Sequence, residues 1–515
     1  MAERTQGRGA LAVAAGILLS RLVGLVRQRV VAHYLGTSGA ADALTAALRV
    51  GNITQNLLGE GALSASFIPV YARLRASDPE AARRFARAAL GALLPVVALL
   101  SLAGALGAPL LARVVAAGFD AERLATTTSL LRVLFPMTGL LVLGAWALGV
   151  LNAHRSFFVP YAAPVVWSLS QIAAVLIAAG CWSTGRDELA SAVAWGALGG
   201  AVLQLGVMAP GVRRALGSVL PVFEPRLAPL REAASKLPAA VLGRGVIQLS
   251  GLVDTLLVSL LGSGAVATFG YAQTIYLLPM SVLGTGEAAA ALPSLAEAGA
   301  GSGAEDARRR AMLDTLASSL GRSFTLGVGA AVALGVLAPE IVDLLLRGGS
   351  FDATSSAEVA RVLSVYALGL PANAASRMYA TTCFALGDTR SPARFATVRV
   401  LVSTAGALAL LSSFGVSGVV AGAVLAAHVE LGLLLFRVRE QLGESMISSP
   451  PWRRILAAAS ALAAAGLGAR HAAQVAVLAP LPAAMLTLGL AGLSFVLAAI
   501  LLRLPGLSSF VRRRR

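Results

Sequence analysis

The sequence has 515 residues, of which 57% are hydrophobic, 13% charged and 5% aromatic. A soluble domain carries about 25% charged residues and a membrane-spanning helix needs about 20 apolar ones, so this stock supplies on the order of 14 spans and excludes a soluble enzyme of one or two domains, a disordered chain and a disulfide-stapled one. The 42 basic residues exceed the 25 acidic ones by 17, which in a soluble protein points to nucleic acid but in a membrane protein points to Arg-rich cytoplasmic loops.

Helices are the expected solution in lipid, because each backbone polar group must find its partner within its own segment. The apolar runs predict an all-α polytopic bundle with spans at 9–34, 39–72, 85–112, 124–151, 158–180, 189–211, 237–262, 265–297, 312–338, 357–386, 392–412, 416–436, 453–469 and 474–502, fourteen in all. The first run is too long for a signal peptide and has no clear cleavage site, so it reads as a retained span.

The charges alternate along these spans. One set of loops carries Arg73, Arg75, Arg83 and Arg84, then Arg155, then Arg213, Arg214, Arg226, Arg231 and Lys236. The same side takes Arg308 to Arg310, Arg390 and Arg394, Arg437 to Arg454, and the tail Arg512 to Arg515. The other side is poor in base: 35–38 and 413–415 have none, and 339–356 sets Arg347 against Glu340, Asp343 and Asp352. Positive residues stay inside, so the asymmetry predicts N-in, C-in and an even number of spans in a bacterial cytoplasmic (inner) membrane.

A repeat is visible. Leu58-Gly59-Glu60-Gly61-Ala62, followed by Pro69, returns as Leu283-Gly284-Thr285-Gly286-Glu287, followed by Pro293, and Leu35-Gly36 returns as Leu261-Gly262. Six spans separate the copies, which keeps both in one orientation, as in a parallel repeat about an axis along the membrane normal. The expected division is therefore 1–225 (spans one to six), 226–440 (seven to twelve) and 441–515 (two further spans and a basic tail).

Ionisable groups inside spans are costly and mark pathways by default. The second span holds Asp42, Thr45, Arg49, Asn52, Asn56 and Glu60. On an ideal helix Arg49 lies about 20° from Asp42, Asn56 about 40°, and Glu60 returns to the start after five turns. This predicts one polar stripe walling a water-filled cavity, against the plainer reading of an interhelical ion pair. The first span holds Arg21 and Arg27, about 120° apart, with Gly24 between them as a place for a bend. The seventh holds Arg244, Gln248 and Asp254, Glu287 lies in the repeated Gly-rich segment, and Arg399 and Glu430 in spans eleven and twelve are placed to neutralise one another.

Nothing points to bond chemistry. No phosphate-binding loop precedes Lys236, the four histidines His33, His154, His428 and His471 lack metal-ligand spacing, and Cys181 and Cys383 lie far apart. Arginines beside carboxylates in a cavity suit an anionic, phosphate-bearing substrate.

The chain resembles the MurJ/MviN family of lipid II flippases, within the multidrug/oligosaccharidyl-lipid/polysaccharide exporter superfamily. The carrying motifs are Ser20-Arg21-Leu22-Val23-Gly24-Leu25-Val26-Arg27, Ala41-Asp42-Ala43, Gly59-Glu60-Gly61-Ala62-Leu63-Ser64 with Phe67-Ile68-Pro69, Leu151-Asn152-Ala153-His154-Arg155, Leu292-Pro293-Ser294-Leu295, and Ala385-Leu386-Gly387-Asp388-Thr389-Arg390-Ser391-Pro392. The resemblance implies two six-helix lobes, with two C-terminal helices extending a lipid-tail groove. It implies alternating access that carries the undecaprenyl-pyrophosphate-linked peptidoglycan precursor to the outer leaflet. The implied partners are that precursor, membrane lipids and cell-wall synthesis proteins, with no nucleic acid and no cofactor.

Arg21, Arg27, Asp42 and Glu60 match the family's cavity residues, and Arg49, Asn52 and Arg244 join them as expected substrate contacts. Asp254 and Glu287 are expected cation or gating groups. The chain also departs from the family. Gly51 stands where Pro is usual, Gln55 and Asn56 replace an Arg pair, and Gln273-Thr274 stands where a cavity Arg is expected. Arg244 is placed to compensate. Arg399 and Glu430 replace neutral residues around the family's sodium site, which makes membrane potential the expected driver. Two alternatives stay open on the sequence: a flippase for another polyprenyl-pyrophosphate-linked glycan (an O-antigen or capsule unit), and a non-transporting cell-wall scaffold.

Overall fold

The computed structural model describes residues 2–181, 185–281, 305–443 and 451–504. Regular structure among the described residues is helical, apart from one isolated bridge between Gly348 and Phe351.

The first helices follow the expected spans at their starts and depart from them at glycines and prolines. α1 (Ala2–Leu35) stops at Gly36, whose φ of +58° turns the chain. Ser38 caps α2 (Gly39–Gln55), its hydroxyl accepting from the Ala41 N–H at 3.3 Å. The expected second span does not continue as an ideal helix. A π-helical turn, Asn56–Gly61, separates α2 from α3 (Ala62–Ser77). A π turn spends more residues per turn than an α turn, so the 100° arithmetic that returned Glu60 to the Asp42 face fails beyond Asn56.

The expected third span also divides. α4 (Pro79–Leu106) ends at Gly107, and Pro109 opens the short α5 (Ala108–Val115). α6 (Ala121–Ala153) starts on Asp120, which accepts from the Arg123 N–H at 2.9 Å. α7 (Phe158–Ala162) and α8 (Pro164–Cys181) form the fifth span, followed by α9 (Arg186–Leu216), α10 (Ala228–Ser259) and α11 (Ala265–Met280).

The second half repeats this order: α12 (Glu305–Val336), short α13 (Ala338–Leu346), α14 (Ala353–Leu368), α15 (Leu370–Ala385) and α16 (Arg390–Leu442). α17 (Trp452–Val475) and α18 (Pro480–Leu501) follow. Two repeat marks escaped the sequence comparison. Ala108-Pro109 opens α5 as Ala338-Pro339 opens α13, and Phe119-Asp120-Ala121 returns as Phe351-Asp352-Ala353. Asp352 caps its helix as Asp120 does, accepting from the Ser355 N–H at 2.8 Å.

α16 has 53 residues, far more than the roughly 20 a bilayer needs. It folds back at Gly415, where φ is +57°. Gly418 lies against Leu410, and Gly422 against Gly406 and Ala407, so the arms run antiparallel. These are the expected eleventh and twelfth spans.

Eight described helices are long and apolar enough to cross a membrane, with α16 counted once. That criterion does not reach fourteen: it takes only long helices among the described residues, and α2, α11, α14 and α15 have 16 or 17 residues each. Lipid contact is visible directly: Leu99, Leu102, Leu106 and Leu110 are 58–73% exposed along one face of α4 and α5, a stripe that water would not tolerate. The chain is a multi-pass membrane protein.

Contacts divide the chain into two compact units, Met1–Ala267 with Gly348–Phe351 and Thr268–Arg347 with Asp352–Arg515. The contact boundary falls within α11, and α17 and α18 belong to the second unit. In the first unit Phe67, Tyr71, Phe85, Trp146, Leu151 and Met208 form a buried core. Phe67 stacks on Tyr71 and on Phe85, and the Trp146 indole donates to the Ala86 carbonyl at 3.1 Å. Gly196 and Gly200 let α9 approach the α8 backbone at Ser170 and Trp167, the close contact that small residues permit between membrane helices. In the second unit Leu316, Met378, Tyr379, Leu434, Ile455 and Leu462 close the core.

Candidate functional site

Asp42, the first residue of the expected stripe, is fully buried. Its Oδ2 accepts from the Gly264 N–H at 2.6 Å and its Oδ1 from the Ala267 N–H at 2.8 Å. These amides sit at the start of α11, where helix N–H groups lack partners within their own helix. Arg123 Nη1 approaches Oδ2 at 3.5 Å. Asp42 therefore caps a helix more than two hundred residues away in sequence. It is sealed from solvent in this conformation. The carboxylate is satisfied by dipoles and one cation, the arrangement a buried charge requires.

Further along α2 the side chains become more accessible: Arg49 is half-buried and Asn52 exposed. Arg49 Nε donates to the Gly251 carbonyl of α10 at 3.4 Å. A Cβ at Gly251 would stand 2.7 Å from Arg49 Nη2, so glycine makes the seat. The same carbonyl accepts from Thr255 Oγ1 at 2.9 Å. Gln248 and Asp254 lie three residues either side of Gly251 and share its flank of the helix. The structure thus brings Arg49 to the α10 surface that bears Gln248 and Asp254. The side chains of Glu60 and Arg244, and all of Glu287, lie outside the described residues.

α1 passes through Gly24 without a break. Arg21 is exposed, while Arg27 is half-buried with its guanidinium 4.8 Å above the Trp167 ring. Arg27 Nη1 is buried and has no hydrogen-bond partner among the described residues, as do Trp167 Nε1 and Gln171 Oε1 on α8. A buried donor without a partner is costly, and a cation over an indole retains its charge for a further anionic partner.

In the second unit the expected neutralisation is present, with Arg399 Nη1 donating to Glu430 Oε2 at 2.7 Å across the α16 hairpin. Nearby, Tyr276 stacks on Tyr366 at 4.9 Å and its hydroxyl receives the Asn373 amide at 2.9 Å. Thr274 donates to the Gly270 carbonyl of its own helix.

The family motif at 385–392 has a structural explanation. Gly387, with φ of +80°, turns the chain, and Asp388 accepts from the Ser391 N–H at 3.0 Å, the Ser391 hydroxyl at 2.7 Å and Arg437 Nε at 2.8 Å. The Ser391 backbone bond leads these causes in holding the Asp388 carboxyl well below its ordinary range. His154 of the 151–155 motif meets the Tyr71 hydroxyl at 2.9 Å, and burial first, then Arg75 and Arg83, lowers its pKa. Both motifs secure loop geometry.

Arg123, Trp167 and Gly251 were not singled out in the sequence. Each acts on a residue from another helix, and one chain carries no local mark of that pairing. No cluster of three metal-ligating side chains exists among the described residues.

Comparison with known proteins agrees with this architecture. The family model described as lipid II flippase MurJ matches residues 31–485. A probable lipid II flippase MurJ from Rhizobium meliloti is 34% identical over 468 residues, covering 88% of this chain and 85% of its own. The lipid II flippase MurJ of Burkholderia cenocepacia is 30% identical over 469 residues, covering 89% of each chain. Among solved structures, a lipid II flippase MurJ in an inward closed conformation has a TM-score of 0.78 at 18% identity, over 95% of this chain and 98% of that one. An inward-facing MATE-family transporter of the MOP superfamily has a TM-score of 0.67 at 20% identity, over 82% of this chain and 96% of its own. The structural matches establish the fold, and the family model and sequence relatives establish that this chain belongs to the lipid II flippase MurJ family.

Proposed function

We propose that this chain moves the undecaprenyl-pyrophosphate-linked peptidoglycan precursor, lipid II, from the inner to the outer leaflet of the cytoplasmic membrane by alternating access. The observation that carries this reading is the family match over residues 31–485, which takes in α2 and α10 with their polar residues. The work is binding and release of a lipid-linked anion, with no bond made or broken. Arg21, Arg27, Arg49, Asn52, Glu60 and Arg244 are assigned to the substrate, with Arg27 Nη1 over Trp167 as an available donor to a phosphate oxygen. Asp42 joins them as the group that couples α2 to the start of α11. Asp254 and Glu287 are assigned to gating or cation response.

The energy source is assigned to membrane potential. The Arg399–Glu430 pair already supplies a cation beside that carboxylate, so a bound sodium would meet repulsion. The chain is oriented N-in and C-in, with 1–225, 226–440 and 441–515 as two six-span lobes and a two-span extension. It works beside cell-wall synthesis proteins.

The test is growth of a host after depletion of its own lipid II flippase, with this gene as the sole supply. Growth is expected; its absence, with normal membrane insertion, overturns the reading. Arg244→Ala should slow that growth, and unchanged growth removes Arg244 from the pathway. Collapsing the potential should stop transport while sodium removal leaves it. Cys181 is exposed and Cys383 buried, so an impermeant thiol reagent should label Cys181 from outside; labelling only in inverted vesicles reverses the orientation.

A further inference from the structure

A second group of charges meets at mid-span, wholly within the second unit. α15 and α16 pack on one another on either side of the Asp388 turn. Arg377 lies about 12 Å of helical rise before the end of α15, and Arg399 about 14 Å after the start of α16. The two arginines therefore stand at matching depth, near the middle of a hydrocarbon core about 30 Å thick. Glu430, on the returning arm of α16, accepts from Arg399 Nη1 at 2.7 Å and shares that depth.

The direction Arg377 faces follows from its neighbours. Asn373, one turn earlier on the same side of α15, donates to the Tyr276 hydroxyl of α11 at 2.9 Å. Arg377 is within electrostatic range of Tyr276, Arg399 and Glu430, and Tyr276 is within range of both arginines. The guanidinium is thus turned toward the polar groups of α11 and α16, and it is exposed. An exposed arginine at mid-span that faces polar groups of two other helices borders water, because hydrocarbon does not solvate it.

The charges here do not balance. Glu430 is taken by Arg399, which spends Nη1 on it. The Arg377 guanidinium makes no hydrogen bond or ion pair among the described residues. Two guanidinium groups face one carboxylate, and Arg377 brings five N–H donors with no acceptor of its own. An isolated cation at this depth is costly and marks a place where a partner arrives. Guanidinium forks fit the paired oxygens of a phosphate or a carboxylate.

We propose that Arg377, with Arg399 beside it, forms an oxyanion-binding subsite in the second unit, in addition to the arginines of α1 and α2. Its ligand is an oxyanion of the carried lipid, and this assignment rests on the transport reading above. Two parts of that lipid present the chemistry: the pyrophosphate, and the carboxylates of the attached peptide.

The test is equilibrium binding to the purified full-length protein in lipid nanodiscs, with lipid II, undecaprenyl pyrophosphate and neutral undecaprenol as probes. Arg377→Gln should weaken lipid II binding about tenfold, the loss of one charge-assisted hydrogen bond, and leave undecaprenol unchanged. An equal loss for undecaprenyl pyrophosphate names the pyrophosphate as the group held, and a loss for lipid II alone names a peptide carboxylate. If Arg377→Gln fails to fold, the double variant Arg399→Gln with Glu430→Gln, which removes the second donor without stranding a carboxylate, should weaken lipid II binding comparably. Unchanged lipid II affinity in the folded variant, or an equal loss for undecaprenol, overturns the subsite while wild-type binding leaves the transport reading intact. Wild-type protein that binds no lipid II overturns both.

Discussion

Both halves of the chain build the same local frame and finish it differently. In each, a long helix breaks before an Ala-Pro, a short helix follows, and a Phe-Asp turn caps the next span. In the first half the short helix, α5, shows Leu110 and Val114 on its outside, 66% and 58% exposed. Its Arg113 is exposed without an ion pair among the described residues. In the second half the short helix, α13, carries Glu340 and Asp343, each tied to an arginine. Arg470 comes from α17, outside the repeat. The C-terminal helix α17 thus brings the charge that neutralises Glu340, while Asp343 is neutralised locally by Arg347. A repeat preserves the scaffold; the partner supplied by the rest of the chain sets its chemistry.

The two units also bury charge differently. Asp42 relies on backbone amides and an arginine distant in sequence, whereas Arg399 and Glu430 pair across one hairpin. Asp42→Ala should cause the largest loss, about 3–5 kcal/mol in thermal or denaturant unfolding, because it strands two buried helix N–H groups and removes one of the two carboxylates that hold Arg123. A loss below about 1 kcal/mol would mean that water replaces the carboxylate. Glu340→Ala should cost about 2 kcal/mol by leaving Arg470 without its partner, while Arg113→Ala on the matching helix stays within about 0.5 kcal/mol. Equal effects would break the contrast between the two short helices.

For the hairpin pair, a double-mutant cycle of Arg399→Ala and Glu430→Ala sharpens the comparison. Each single change should cost more than half the double, with a coupling of about 1 kcal/mol. A smaller effect is expected at the start of α10. Arg73 and then Lys236, through hydrogen bonds, hold the partly exposed Glu232 carboxyl at about 2 against an ordinary 4.5. Its folded-state pKa is depressed, so its stabilisation is complete above pH 4.5 and is lost as pH falls toward 2. Glu232→Gln should therefore flatten the acid limb of the unfolding curve modestly, and an unchanged limb removes the ion pair from the account.

Several features were legible from local pattern. The short loop 413–415 between two apolar runs marked the hairpin, and the apolar runs themselves marked the spans. Arg399 and Glu430 were read as a pair because the hairpin brings nearby positions in sequence together. The π turn at Asn56–Gly61 was not legible, since every residue there is compatible with an α-helix and the extra residue per turn is absorbed by packing. The breaks at Gly107 and Gly369 were passed over because apolar residues continue on both sides.

The sequence by itself determined the class, the helical solution and the family. Apolar runs in lipid leave the backbone no other way to satisfy its hydrogen bonds, and the order of the motifs identifies the relatives. Tertiary structure alone decided what each charge does. Asp42 became a helix cap, Arg49 found a glycine seat on α10, and Arg470 drew Glu340 onto α17. A charge inside a membrane is defined by its partner, and these partners lie from 130 to 225 residues away, where no periodicity in the chain can point to them.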